Sequence, residues 1–390
     1  MNILFFYYLP IDPQKGGTER VTDILSNKFL IDGHNVYQMA LNRPIKDTGI
    51  HQNVPIFYLP NSENICAEEN IFFLEKFISD HRIDVLINQG AVQSDDIWLC
   101  NHQVINTKIK IFSVVHFSVF LGIYNLRQIQ KMDFSFKHPY GTFKSILKWL
   151  KIPYNRRKAI NKKRTDYKFM YEFSDRIIFL SDSYIKDFES LTKIVDRNKV
   201  IAIPNPNTYL SIKKQKKQKV ILYVGSLQFP QKRVDRLLLI WGKVCHTFKN
   251  WSLKIVGDGP EREKLQELSN QLNLINISFE GKQNPEDYYA VSQAICITSN
   301  YEGFPMVITE AMQYGVIPIA FDTFSASDII EDGISGYIVP PFSIDQYVLK
   351  LTTIMQNEPL RLNMSTAAQL ATQRRTIDQI ADRWYDEFKK

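Results

Sequence analysis

Short apolar runs alternate along the chain with longer segments whose apolar residues recur every three or four positions. In the first half the runs are ILFFYYL from Ile3, VYQMAL from Val36, DVLINQ from Asp84, IKIFSVVH from Ile109, RIIFLS from Arg176 and VIAIP from Val200, with a helix-like segment over 19–30 after the first. Consecutive apolar positions over such short lengths predict strands buried on both faces, and their alternation with helices predicts βα units and parallel strands. Pro204, Pro206 and the polar, basic stretch SIKKQKKQ (211–218) interrupt the rhythm. It restarts with VILYVGS, so a domain boundary belongs there. Six further runs, near Val220, Leu253, Ile277, Ile295, Ile317 and Tyr337, are separated by helix-like segments such as 232–247 and 260–272. That pattern predicts a doubly wound sheet. The expected organisation is α/β: two Rossmann-like doubly wound domains over 1–207 and 208–373. Ile377, Ile380, Trp384 and Phe388, at helical spacing, add an amphipathic helix over 374–390 packed on a core, with the first domain the candidate.

Length and composition agree with this division, since 390 residues that are 44% hydrophobic suffice for two cores. Cys66, Cys100, Cys245 and Cys296 lack close pairing or metal-ligand spacing, which suits a reducing cytosol and suggests neither disulfides nor a zinc site. MNILFFYYLPID has no basic leader and reaches polar residues quickly, so it reads as a first strand rather than an export signal. No stretch approaches the roughly 20 apolar residues of a membrane span. Charge is uneven: residues 127–168 hold thirteen Lys and Arg against Asp133 and Asp166, a local +11 that leaves −4 for the rest of a chain of net charge +7. One basic region that meets an anionic partner is expected.

The segment with most chemical content is NYEGFPMVITEAM, residues 300–312, which follows the strand-like AICITS. Pro305 or Met306 would open a helix, leaving the amides of Gly303, Phe304 and their neighbours facing whatever lies beyond the strand. Such amides suit anionic, oxygen-rich ligands. A carboxylate accepts hydrogen bonds from two neighbouring hydroxyls, so Glu302 and Glu310 suit two sugar rings. On spacing alone they read first as a capping glutamate and a solvated helical one. In VGSLQFPQKR, Lys232 is either a mobile charge for a diphosphate that gains negative charge as a bond breaks, or a solvated helix lysine. Gly16 and Gly17 precede a helix, where bare backbone can approach a phosphate or simply turn. His116 ends IKIFSVV at a sheet rim, where open α/β sheets bind ligands and where structural histidines also sit. Gly257, Asp258, Gly259 and Pro260 lack the glycine spacing of a dinucleotide fingerprint and read as a turn into a helix, so NAD binding is rejected.

The residues from Glu302 to Glu310 closely resemble the Glu-Gly-Phe-x-x-x-x-x-Glu-Ala motif of retaining glycosyltransferases of family 4. LYVGSLQFPQKRVDRLL, LKIVGDGPEREKL, ISFEGKQNPEDYYAVSQAICITS and GVIPIAFDTFSASDIIEDGISGYIVPP extend the resemblance in order through the C-terminal half. GGTERV, VVHFS, DRIIFLSDSYIKDF and VIAIPNP extend it more thinly through the first half. The resemblance implies a GT-B fold with facing domains and a deep cleft, the donor on the C-terminal domain and the acceptor on the N-terminal one. It implies that Glu302 with Gly303, Phe304 and Pro305 faces the donor sugar, that Glu310 binds the ribose hydroxyls, and that Lys232 stabilises the departing diphosphate. Gly16 and Gly17 then lie across the cleft from the diphosphate, His116 near the anomeric centre, and Gly281 and Lys282 at the base, the last two reading equally as an ordinary strand-end loop. Ser226 departs from the pattern, standing where an arginine usually shares the diphosphate with the lysine. Arg233, an N-domain group, or the Ser226 hydroxyl with backbone amides takes that share.

The implied activity is retaining transfer of a sugar from a nucleoside diphosphate sugar to a saccharide or lipid-linked saccharide, as in bacterial surface-polysaccharide assembly, without metal or other cofactor. Lys232, Glu302 and His116 would carry the chemistry. Two alternatives are a nucleotide-sugar epimerase or hydrolase, and a catalytically silent sugar-nucleotide-binding protein, for which Ser226 is the support. In the insert 127–168, Phe143, Ile146, Leu147 and Leu150 recur at helical spacing among lysines, which suits either an anionic membrane surface on the cytoplasmic side or a solvated basic face over a buried helix. No nucleic-acid motif accompanies the charge, and none of that class is expected as a partner.

Overall fold

The computed structural model describes residues 1–9, 11–13, 16–43, 53–91, 98–105, 108–121, 123, 146, 149–213, 215–324 and 326–390. Much of the basic insert, including Phe143 and Leu147, lies outside the described residues. The chain divides into two units, one of Met1–Val119, Lys158–Thr208 and Arg375–Lys390, the other of Phe120–Arg157 and Tyr209–Arg374.

Each apolar run of the first half forms a strand: β1 (Asn2–Tyr7), β2 (Asn35–Ala40), β4 (Val85–Asn88), β5 (Lys110–Val115), β6 (Arg176–Phe179) and β7 (Val200–Ala202). A further three-residue strand, β3 (Ile56–Tyr58), is not among the runs read from the sequence. All pair in parallel in the order β3-β2-β1-β4-β5-β6-β7. The helix-like segment after β1 is α1 (Gly17–Ile31), and α2 (Glu68–Asp80) packs Leu74, Phe77 and Ile78 onto the sheet core. The helices α3 (Ile152–Phe173) and α4 (Asp182–Thr192) follow.

The six runs of the second half are six strands: β8 (Val220–Val224), β9 (Ser252–Val256), β10 (Ile277–Gly281), β11 (Ala294–Ile297), β12 (Ile317–Phe321) and β13 (Tyr337–Val339). They form a parallel sheet in the order β10-β9-β8-β11-β12-β13. The helices α5 (Val234–Gly242), α6 (Arg262–Gln271), α7 (Pro285–Val291), α8 (Met306–Gln313), α9 (Ile344–Gln356) and α10 (Glu358–Thr372) join and cover it. Trp241, Trp251, Tyr347 and the apolar residues of β8, β9, β11 and β12 make one core. In both sheets the first strand in sequence stands between the second and the fourth, so the order reverses beside β1 and beside β8. Carboxyl ends of strands at such a reversal leave a crevice for ligands.

The last helix, α11 (Ile377–Lys389), starts at a capping box in which Thr376 and Gln379 satisfy each other's backbone amides. It belongs to the first unit. The Trp384 ring lies 6.3 Å from Phe112 and 6.5 Å from Phe29, Phe388 lies 5.7 Å from Phe29, and Glu387 accepts from Arg176 at 3.0 Å.

Candidate active site

In the second unit three strand-end loops are joined backbone to backbone. The amide of Gly225, just after β8, donates to Val256 at 3.0 Å, Leu227 donates to Asp258 at 2.9 Å, and Gly257 donates to Gly281 at 2.8 Å. A Cβ on Gly257 would sit 1.9 Å from the Gly225 carbonyl oxygen, and one on Gly259 would sit 2.5 Å from that of Leu227. The two glycines of the GDGP turn are thus set by contact between loops, which holds 225–233 at the carboxyl end of β8.

Next to it, at the end of β11, residues 299–305 lead into α8, whose N-cap is Pro305 and whose first turn has no side-chain cap. The Asn300 amide donates to the Gln231 carbonyl at 2.8 Å and its side chain donates to the Pro230 carbonyl at 2.6 Å, docking the two loops. Between them Lys232 Nζ donates to Glu302 Oε1 at 2.8 Å and to Oε2 at 3.0 Å. Glu302, only 5% exposed, also accepts from Ser299 Oγ at 2.5 Å and Gln231 Nε2 at 3.3 Å. A buried carboxylate is retained as an anion only with such partners. Glu302 is therefore no helix cap, and Lys232 is no free surface lysine.

Glu310 is likewise not solvated: on α8 it is 1% exposed, and its Oε2 accepts from Tyr289 on α7 at 3.1 Å. Tyr289 packs with Tyr209 and Tyr314, whose ring centroids lie 6.3 and 6.0 Å away. Phe304 is buried and follows Gly303 in the loop. Ser226 is half-buried, its carbonyl accepting from the buried Tyr223 hydroxyl at 2.9 Å. Arg233 sits in the left-handed region at φ 51°. Its Nε and Nη2 are engaged by Asp235 at 2.8 and 2.7 Å, which leaves Nη1 as the part of the buried guanidinium without a hydrogen bond. Gly281, at φ 72°, ends β10 beside the Arg262 guanidinium, and Lys282 after it is exposed.

In the first unit, Gly16 is the N-cap of α1, and a Cβ there would meet the Glu19 carboxylate at 2.3 Å. The buried Glu19 carboxylate thus lies against the glycine that the sequence offered to a phosphate, and Gly17 opens the helix. Burial, with Glu19 next in weight, keeps the Tyr7 hydroxyl protonated. His116 directly follows β5, and its Nε2 lies 2.5 Å from Oε1 of Gln89, which directly follows β4. Burial pushes the imidazole down to about 4, so the ring is neutral above about pH 5. Among the described residues no group of three or more His, Cys, Asp or Glu is gathered for a metal ion, and no helix is long and apolar enough to cross a membrane.

Sequence reasoning located Lys232, Glu302, Glu310 and His116 but missed the groups that hold them. Ser299, three residues before Glu302, and Gln231, beside Lys232, were adjacent to the motif. Tyr289 and Gln89 had no local signal.

Two parallel Rossmann-like sheets, the second with a buried cation–carboxylate pair at the switch between β8 and β11, define an α/β protein of the GT-B type. The family of glycosyl transferases group 1 matches residues 210–371. The Erwinia amylovora amylovoran biosynthesis glycosyltransferase AmsD is 30% identical over 387 residues, covering 95% of each chain. The chain belongs to the group 1 glycosyl transferases. An uncharacterized glycosyltransferase of Haemophilus influenzae is 34% identical over 192 residues, 48% of this chain and 54% of that protein, so the match spans about half of that relative. The fold is similar to that of Anabaena Alr3699/HepE solved in complex with UDP-glucose, with a TM-score of 0.73 at 14% identity over 100% of this chain and 99% of that one.

Proposed function

We propose that the protein is a family 4-like retaining glycosyltransferase that moves a sugar from a nucleoside diphosphate sugar to a hydroxyl of a saccharide or lipid-linked saccharide. The observation that carries this is the buried pair of Lys232 and Glu302 beside the uncapped first turn of α8, with Glu310 buried on the same helix. Cleavage of the bond between the anomeric carbon and the diphosphate puts charge on the departing oxygen. Lys232 and the amides of Gly303, Phe304 and the first turn of α8 meet that charge, with no metal required. Ser226 adds no cation, and two of the three Arg233 nitrogens serve Asp235, so Lys232 carries most of the compensation. Glu302 holds donor-sugar hydroxyls, Glu310 holds the ribose diol, and Gly281 and Lys282 flank the base. The acceptor hydroxyl attacks from the face that the diphosphate leaves, and no covalent nucleophile is assigned.

The same reading gives the donor to residues 208–373 and the acceptor to 1–207, with the helix of 374–390 completing the latter. Gly16, Gly17 and His116 are assigned to the donor's phosphate and sugar on the family resemblance. We assign the transfer to surface-polysaccharide assembly at the cytoplasmic face of a membrane; the amylovoran biosynthesis named for the Erwinia relative supports a biosynthetic transfer, and the UDP-glucose of the Anabaena structure supports a nucleotide-sugar donor. The basic residues of 127–168 would hold the enzyme at anionic lipid.

Calorimetry with UDP, GDP, ADP and their sugars tests the donor site. One nucleotide should bind selectively, and Glu310→Ala should weaken it about tenfold or more, the worth of a charge-assisted hydrogen-bond pair. Binding of none of them by the unmodified protein would end this reading.

A further inference from the structure

The strand order of the first sheet reverses between β1 and β4, and Gln89 is the first residue beyond the carboxyl end of β4. Its neighbour across the rim, His116, is the first beyond β5, and the two side chains are 3% and 6% exposed. They are joined by one short hydrogen bond of 2.5 Å. The other Gln89 amide atom, Nε2, is buried without a partner, and among the described residues His116 Nδ1 makes no hydrogen bond.

This arrangement has a chemical consequence that does not depend on how the amide is oriented. A neutral imidazole offers one donor and one acceptor, and a primary amide offers both. Once a single bond joins them, the second ring nitrogen and the other end of the amide remain open, one accepting and one donating whichever way the amide is turned. A buried polar group left open costs stability, and a leucine at 89 would remove the open amide nitrogen only by leaving His116 Nε2 without its partner. What leucine could not do is hold the ring. The Gln89 amide meets Nε2 without bringing a charge, which fits a histidine whose neutrality comes from burial alone.

We propose that Gln89 is a positioning residue: its bond to Nε2 fixes the orientation of the His116 ring with Nδ1 open, so that the ring meets a hydroxyl of the sugar substrate as a hydrogen-bonding partner. The open groups of the pair match a hydroxyl, which donates and accepts, and mismatch a phosphate, which only accepts. This inference rests on the proposed sugar transfer, within which it assigns Gln89 a task.

The test uses the full chain in four forms: unmodified, Gln89→Leu, Gln89→Glu and His116→Ala. NMR titration of the histidine ring protons is read beside turnover of whichever nucleotide sugar calorimetry selects. In Gln89→Glu a carboxylate facing Nε2 should raise the His116 midpoint from about 4 by one unit or more and add an acid limb to the pH–rate profile at the new midpoint. Gln89→Leu should lower kcat about tenfold with donor KM little changed, the loss expected of one positioning hydrogen bond. A merely structural Gln89 would leave kcat unmoved in the folded Gln89→Leu variant, since the midpoint in Gln89→Glu rises with any carboxylate beside the ring. If His116→Ala is impaired while Gln89→Leu turns over normally, or if the midpoint in Gln89→Glu stays where it was, the positioning role is overturned and the transfer reading stands. Full activity of His116→Ala would overturn the role through His116 itself, while the Glu310→Ala binding result would still decide the donor site independently.

Discussion

Removing Lys232 alone would leave the Glu302 carboxylate buried beside Ser299 and Gln231 with its charge uncompensated. Breaking such a pair from one side costs more than removing both partners. Lys232→Met is therefore expected to lower unfolding free energy by about 2–3 kcal/mol, at the modest end because the lysine is partly exposed. The double variant with Glu302→Gln should lose less than the sum of the two single changes, by about 1–3 kcal/mol of coupling in urea melts. Additive losses would mean that the contact is not an energetic pair. At this scale the residues that carry recognisable chemistry were legible: Glu302, Glu310 and Lys232 stand in a spaced motif. Their partners were not, because Gln231 is 71 positions from Glu302, Tyr289 is 21 from Glu310 and Gln89 is 27 from His116. A hydrogen bond between residues so far apart leaves no local pattern.

At the scale of elements, the period of the apolar runs placed all six strands of the second sheet, because strands buried on both faces must be apolar at consecutive positions. The GDGP turn was legible only as a turn. That Gly257 touches the Gly225 carbonyl is a property of two loops that the sheet brings side by side, and it makes the glycine a matter of contact as well as conformation. Gly257→Ala should destabilise the protein by about 3 kcal/mol or more, since both backbone strain and overlap enter. Gly333→Ala, with φ 78° but nothing within 4 Å of the new Cβ, should cost only about 1 kcal/mol. Chemical denaturation of the two variants separates the terms; equal losses would remove the contact argument.

For the whole molecule, charge is the property that the fold does not dictate. Arg156, Arg157, Lys158 and Lys162 are exposed on α3, with Leu150 and Tyr154 60% and 68% exposed nearby. Sedimentation with vesicles containing anionic phospholipid should therefore capture the protein at about 0.1 M salt and release it near 1 M, where the screening length falls from about 10 to about 3 Å. Replacing several lysines between Lys144 and Lys163 with glutamate should abolish capture, each basic residue contributing about 1 kcal/mol at the surface. No capture of the unmodified protein would end the membrane proposal.

The sequence by itself determined the two parallel sheets, the class of elements that join them, the family and the motif glutamates, because burial on both faces and helix starts are written in neighbouring residues. The tertiary structure decided which charges meet. Lys232 is paired with Glu302 and not free, Arg233 is largely committed to Asp235, and His116 is buried against Gln89. Electrostatics and hydrogen bonding depend on distances of a few ångströms between strand ends, and only the folded sheets bring those ends together.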